Sequence, residues 1–353
     1  MKTSINKHNV SASRASRLPI LLAVGAALAT SALLIQRKVR RAELEHPPIG
    51  KFIEVDGVRL HYVDRGEGQP VVLLHGNGSM VEDLELSGLL DGAAAGYRVI
   101  AFDRPGYGYS ERPRNRIWTP YAQAELIYQA LQQLNIERPI IAGHSWGTMV
   151  SVALALQHPE YVRALALLSG YYFPNPRLDV PLLSLPAIPL LGDLMRFTIS
   201  PLISRLLWPL MKRSLFAPSR VPASFEEFPV WMALRPSQLR ASAAESALMI
   251  PSAMNMRQRY RELTMPIIIL AGDGDKVIDP QRQSGRLHNE LPLSELRFAA
   301  GAGHMVHHLV PDQVIWAINA AAKAAEHLKV PKQEGQLNMI VPAPPASGAA
   351  ERI

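Results

Sequence analysis

Five short apolar runs constrain this chain more than any other feature. They stand in "PVVLLHGNG", "YRVIAFDRPGYGYS", "PIIAGHS", "VRALALLSG" and "MPIIILAGDGD". Each is too short for a free-standing helix and closed by a glycine- or serine-containing turn, as a strand buried on both faces should be. Helical patterns separate them: "YAQAELIYQALQQLN" at 121–135 and "WGTMVSVALALQHP" after Ser145, with later ones at 280–291 and 311–328. "FIEVDGVRLHYVDRG" predicts a β-hairpin turning at Asp56-Gly57, and "ELRFAAG" a late strand. Strands alternating with helices predict an α/β fold, a mostly parallel sheet flanked by helices. The alternation stops over 171–262, where Pro, Leu and Met accumulate in several short helical patterns, and resumes at residue 263. That stretch reads as a helical insertion dividing a sheet domain of 51–170 and 263–328. The Pro/Ala/Gly-rich tail at 329–353 is expected to be disordered.

Charge sorts the N-terminus from the body. Of the formal +7, eight positive residues and no acid lie in 1–41, which leaves −1 for the rest. The basic balance therefore belongs to the leader, and no nucleic-acid motif accompanies it. Residues 1–17 form a basic segment. "LPILLAVGAALATSALLI" at 18–35 then runs for 18 residues without a charge. As a helix it spans about 27 Å, close to a hydrocarbon core of about 30 Å. It reads as a transmembrane anchor, followed by a linker at 36–50. The alternative is secretion after signal-peptide cleavage at "ALA" (27–29), against which apolar residues continue past that site and "RKVRR" follows. The absence of cysteine excludes disulfides, thiolate catalysis and Cys-based zinc sites.

Chemistry concentrates at "IIAGHSWGTMV", residues 140–150. Gly143-His144-Ser145-Trp146-Gly147 fits G-x-S-x-G where a strand becomes a helix, a turn that lifts a serine hydroxyl above the sheet. Such a serine needs a base, and the base needs an acid to orient it. His304 in "GAGHMVHHLVPDQV" is the base candidate and Asp275 in "AGDGDKVIDP" the acid, with Asp273 and Asp279 as rivals. Both lie in loops that follow strands. The oxyanion hole is expected from the backbone amides of Asn77, in "HGNG", and of Trp146. His75 and Asp103 read as residues that bond their own turns. His307 and His308 read as loop-packing histidines, either of which could stand in for His304. No HExxH and no clustered carboxylates support a metal site.

These motifs together resemble the α/β-hydrolase superfamily. "HGNG" (75–78), "DRPGYGYS" (103–110), "GHSWG" (143–147), "GDGDKVID" (272–279) and "GAGH" (301–304) occur in that family's order across about 45–328. The resemblance implies an eight-stranded sheet with a helical lid after the sixth strand, and a Ser145–His304–Asp275 triad needing no cofactor and no metal. Haloalkane dehalogenases and epoxide hydrolases of the family carry an aspartate nucleophile. Ser145 departs from that pattern and points to acyl transfer.

The insertion holds Leu182, Leu190, Phe197, Leu206, Trp208 and Met211 among many apolar residues, which suits a lipophilic, possibly lipid-derived ester as substrate. Within it, "LISRLLWPLMKR" mixes Arg and Lys with apolar residues as interfacial segments do. The expected protein is a membrane-anchored serine esterase or lipase acting on a small lipophilic molecule, with no nucleic-acid partner. C–C bond hydrolysis, or cofactor-free lyase or perhydrolase chemistry on the same triad, is the alternative. Epoxide hydrolase-like chemistry and a non-catalytic binding role stand further off.

Overall fold

A computed structural model describes residues 17–177 and 179–327. The expected basic segment, apart from its last residue, and the expected tail at 329–353 lie outside the described residues.

Eight strands form one sheet: β1 (Lys51–Val55), β2 (Val58–Arg65), β3 (Pro70–Leu74), β4 (Arg98–Phe102), β5 (Ile140–His144), β6 (Ala164–Leu168), β7 (Ile267–Gly272) and β8 (Ser294–Ala299). Their spatial order is β1-β2-β4-β3-β5-β6-β7-β8. β2 runs antiparallel to both of its neighbours, and every pairing from β4 to β8 is parallel. The hairpin turns at Asp56-Gly57, both in the left-handed region at φ 49° and 68°.

Side-chain alternation explains why the central strands are apolar throughout. In β6, Leu165 and Leu167 point into one core, and Ala164, Ala166 and Leu168 into the other. In β7, Ile267 and Ile269 share the first core while Ile268 and Leu270 share the second. A period of two with helices on both faces leaves no polar position. The first core is covered by α4 (Pro120–Gln133) and α5 (Trp146–Gln157). The second is covered by α2 (Val81–Leu86), α3 (Leu89–Ala94) and α13 (Pro311–His327), with α12 (Val306–Leu309) contributing Val306. α4 is capped by Thr119, whose side chain accepts from the Ala122 amide, with Pro120 at the first helical position. After β7, one π-helical turn leads into α11 (Arg286–Glu290).

Between β6 and β7 the chain leaves the sheet and forms α6 (Val180–Ser184), α7 (Leu191–Thr198), α8 (Ser200–Phe216), α9 (Val230–Ala233) and α10 (Pro236–Met256). This part has its own apolar centre, in which Trp208, Phe216, Phe225 and Phe228 pack against Met80 and Met305 of the sheet domain.

The N-terminal helix, α1 (Arg17–Glu45), is longer than the apolar run that announced it. The linker expected at 36–50 begins only after Glu45. Residues 36–45 contain neither Pro nor Gly, so nothing ends the helix before His46-Pro47-Pro48. Its last turns have tertiary partners as well. Ile35 is 2% exposed, Ala42 joins the apolar centre of the insertion, and Tyr109 donates to the His46 carbonyl.

Leu167 sits in register between Gly143 and Ile269 and is fully buried, whereas Leu206 on α8 is 77% exposed. Leu167→Ala should lower stability by about 2–5 kcal/mol and Leu206→Ala by no more than about 0.5, read from urea midpoints of the detergent-solubilised chain.

Candidate active site

Ser145 connects β5 to α5 with φ 52° and ψ −119°, a strained conformation for a residue with a side chain. The flanking glycines make the turn possible. A Cβ on Gly147 would stand 2.3 Å from the Leu74 carbonyl oxygen, so β3 and α5 could not close together around any larger residue. The Ser145 amide donates to the Leu168 carbonyl at 2.9 Å, and the Thr148 amide donates back to the Ser145 carbonyl at 3.0 Å.

Three residues from three loops meet here. The Ser145 Oγ lies 2.9 Å from His304 Nε2, and His304 Nδ1 lies 2.7 Å from Asp275 Oδ2. The other carboxylate oxygen of Asp275 accepts the amides of Val277 and Ile278 at 2.8 and 3.0 Å, which fixes the plane of the group. The rival acids are engaged elsewhere: Asp273 accepts the Gly301 amide at 2.7 Å, and Asp279 accepts the amides of Gln281 and Arg282 at 3.0 Å. His304 is held from both sides through its backbone. Its amide donates to the Leu215 carbonyl of α8 at 3.0 Å, and its carbonyl pairs with His144 Nε2 at 3.0 Å. Burial, reinforced by the neighbouring His307 and His304, pushes the His144 imidazole well below its ordinary pKa. It therefore serves this carbonyl as a neutral N–H donor.

The loop carrying Asn77 lies against Ser145. A Cβ on Gly76 would stand 3.1 Å from the Ser145 Cβ. Trp146 is the first residue of α5, so its amide has no intrahelical acceptor and sits at the positive end of the helix. The Asn77 side chain is occupied by the insertion: Nδ2 donates to the Ser242 carbonyl at 3.2 Å and to Ser246 Oγ at 3.4 Å, both on α10.

Beneath this loop is a buried ionic network that sequence reading did not find. Arg104 and Glu245 are both inaccessible to solvent and pair at 2.5 Å. Arg104 also donates to the carbonyls of His75 and Gly76 at 2.8 and 2.9 Å and to Gln123 Oε1 at 2.9 Å. Glu245 further accepts from Gln123 Nε2 at 2.9 Å and lies 2.7 Å from the Tyr107 hydroxyl, which is 3.0 Å from Asn77 Oδ1. Burial pushes the Glu245 carboxyl up, but Arg104, the nearby Arg112 guanidinium and the Gln123 hydrogen bond together hold the group below the usual carboxylate range. The Trp146 indole completes the contact, donating to the Glu245 carbonyl at 3.3 Å with Arg104 over its ring.

The remaining candidates have other partners. His75 Nδ1 pairs with the Gly76 carbonyl at 2.8 Å, and its Nε2 accepts the Arg104 amide at 3.0 Å. Burial and the nearby Arg104 charge push its pKa down to about 4. Asp103 ties its own loop, pairing with His61 Nδ1 at 2.7 Å and accepting the amides of Tyr109 and Val81 at 2.9 and 2.8 Å. His307 and His308 both direct Nε2 at Asp83, at 3.1 and 2.8 Å, where Ser79 Oγ also donates at 2.7 Å. These three residues could enclose a cation by spacing. Two imidazole nitrogens and the Ser79 hydroxyl already bond the Asp83 carboxylate, so the cluster is tied by its own hydrogen bonds.

Comparison with known proteins places this architecture. A model of the alpha/beta hydrolase fold matches residues 69–311. Haloalkane dehalogenase 2 of Mycobacterium tuberculosis is 26% identical over 289 residues, covering 77% of this chain and 94% of its own. A 2-hydroxymuconate semialdehyde hydrolase of Pseudomonas putida is 36% identical over 135 residues, 38% of this chain and 48% of its own. Among solved structures, a membrane phospholipase A, described as a bacterial virulence factor, superposes with a TM-score of 0.60 at 22% identity, covering 89% of this chain and 99% of its own. That last likeness is one of fold.

Two outcomes test the site. Glu245→Ala leaves Arg104 buried without its carboxylate and should lower stability by about 3–5 kcal/mol in urea unfolding. The folded-state pKa of His75 lies below its unfolded value of about 6.5, so the unfolded chain takes up the proton first as pH falls. Stability tied to His75 is present above pH 6.5 and lost toward about pH 4, by about 3 kcal/mol in all. Unfolding of His75→Gln near pH 5 should take up about one proton fewer than the wild type, read from the slope of stability against pH.

Proposed function

The chain belongs to the α/β-hydrolase fold family, and we propose that within it the protein is a membrane-anchored serine hydrolase cleaving carboxylic esters of lipophilic, lipid-derived substrates. The observation that carries this reading is the continuous path from the Ser145 hydroxyl through His304 to Asp275, at 2.9 and 2.7 Å, set on a strained elbow at a helix N-terminus.

Each step follows from that geometry. His304 Nε2 removes the Ser145 proton as the oxygen attacks the ester carbonyl. Asp275 accepts Nδ1–H, fixing the tautomer and stabilising the imidazolium. The amides of Asn77 and Trp146 hydrogen-bond the oxyanion of the tetrahedral intermediate, each donor contributing on the order of 10²- to 10³-fold in rate. His304 returns the proton to the leaving alcohol. Water, deprotonated by the same nitrogen, then releases the acid from Ser145. No cofactor enters these steps.

Dehalogenation, the activity named for the mycobacterial relative, does not suit a hydroxyl nucleophile. An alkyl-enzyme ester forms from a carboxylate, and residue 145 is serine. C–C bond hydrolysis is the second reading, favoured by the 36% identity with the semialdehyde hydrolase over 135 residues. It uses the same serine and histidine on a carbonyl flanked by a carbon leaving group.

Membrane anchoring rests on α1. Among the described residues it is the one single helix long and apolar enough to cross a membrane. It continues through Ala27-Leu28-Ala29 without a break, and its C-terminal part packs on the insertion, which favours retention over cleavage.

Detergent-solubilised full-length chain should hydrolyse p-nitrophenyl esters, with rates rising from acetate toward longer acyl chains. Ser145→Ala should reduce kcat/KM by roughly 10⁴-fold or more. Unchanged ester turnover in Ser145→Ala would refute the assignment. A folded wild type inert on every ester but active on a vinylogous 1,5-diketone would move the second reading ahead.

A further inference from the structure

α8 carries an apolar face that the fold does not cover. Leu202, Leu206 and Leu210 form one row at a spacing of four residues, and Ile203, Leu207 and Met211 form the row beside it. All six are exposed, Leu206 by 77% and Leu210 by 65%, while the helix buries Pro201, Trp208 and Phe216 on its other side. Leu190, Leu194 and Phe197 on and before α7 are exposed as well, Leu190 by 84%. An apolar surface this extended does not stay in water without a partner.

Its place along α1 identifies the partner. The Ser31 hydroxyl of α1 donates to the Thr198 carbonyl at the end of α7. Ser31 lies four residues before Ile35, the last residue of the uncharged run. At about 1.5 Å per residue the contact is about 6 Å inside the apolar end of the span. If α1 crosses a bilayer, the α7–α8 junction is held at the depth of the acyl chains, next to the basic collar of Arg37, Lys38, Arg40 and Arg41. Charge agrees with this placement. Arg205 and Arg213 are exposed beside the apolar rows, with no carboxylate in ion-pair range among the described residues. An apolar stripe edged by arginine is the pattern of a helix lying in an anionic leaflet.

We infer that α7 and the exposed stripe of α8 are a second membrane-docking surface, seated in the same leaflet as the C-terminal end of the α1 span. This rests on the membrane-anchored reading of α1. Its consequence is for substrate supply. The far end of α8 reaches the site, since the Leu215 carbonyl holds the His304 amide, so one helix runs from the acyl-chain region to the catalytic base. The substrate class that follows is a membrane-resident acyl ester, delivered from the bilayer.

The chain has no cysteine, so single labels are unambiguous. Leu206→Cys, Leu22→Cys in α1 and Lys323→Cys on α13 would each carry an environment-sensitive fluorophore. The full-length protein would be reconstituted in mixed phosphatidylcholine and phosphatidylglycerol vesicles. The labels at Leu206→Cys and Leu22→Cys should lose emission to nitroxide-bearing lipid and resist aqueous iodide, and Lys323→Cys should do the reverse. If Leu206→Cys is quenched by iodide while Leu22→Cys is quenched by lipid, docking is overturned and the anchor stands. If Leu206→Cys is shielded from both quenchers, a second copy covers the stripe and the inference fails. If Leu22→Cys is open to iodide, the anchor reading fails and docking falls with it.

Discussion

Arg104 has five N–H donors and no access to water, and every one of them is satisfied. One goes to the carbonyl of His75, one to that of Gly76, one to Gln123 and two to Glu245. A buried guanidinium with a single donor left over costs a large part of a domain's stability, so the groups around it are held jointly. Those groups are the turn preceding Asn77, helix α4 and, through Glu245, the middle of α10 in the insertion. Sheet domain and insertion are thus fastened by a buried ionic contact under the loop that faces Ser145. A buried ion pair is weak evidence for stability, because an apolar core of equal volume is often as stable. What it provides is position: the turn carrying Asn77 cannot move without breaking bonds to Arg104.

The parts of this arrangement that were legible in sequence are those written locally. Ser145, Asp275 and His304 each sit where an apolar run meets a turn, and the spacing of glycines announces a backbone forced into a tight path. The strands were legible because a sheet buried on both faces permits only apolar residues. Glu245 was not, because it stands among small residues in "ASAAESALM" and its partner is 141 residues away. Nothing local distinguishes a carboxylate that will be buried from one that faces water. His144 stands at an x position of G-x-S-x-G, which the motif leaves open, yet its ring holds the backbone of His304. The linker expected at 36–50 is helical over its first ten residues. Charge ends a membrane span but does not end a helix, which needs a breaker such as Pro47.

The histidines around the site show how burial assigns roles among identical side chains. His75, His144 and His307 are each pushed below their ordinary pKa by loss of solvent. Each also meets a geometry that uses a neutral or singly committed ring: a carbonyl for His144, a carbonyl and an amide for His75, a carboxylate for His307. His304 alone joins a carboxylate on one nitrogen to a hydroxyl on the other. Under the proposed mechanism that difference matters, because a general base must hold a proton reversibly while its neighbours do not compete for it. An imidazolium at His144, whose ring centroid lies 5.0 Å from that of His304, would oppose protonation of His304 in the transition state. Burial keeps that neighbour neutral and removes the opposition.

The insertion therefore touches the proposed chemistry through two helices and the N-terminal helix through a third. α10 sets the Asn77 side chain through Ser242 and Ser246 and the loop below it through Glu245. α8 holds the His304 amide through Leu215, and α7 receives Ser31 of α1. A displacement of α7 relative to α1 would be carried along α8, whose seventeen residues form a single helix, toward the backbone of the base. Pro209 lies inside that helix and removes one backbone hydrogen bond about midway, so α8 is able to bend there rather than transmit motion rigidly. The apolar rows on α8 lie on both sides of that point, and Leu215, which holds the His304 amide, lies one turn beyond their end. Under the docking inference a bilayer therefore sets the depth of α8 on both sides of Pro209, and only its last turn is left to follow His304.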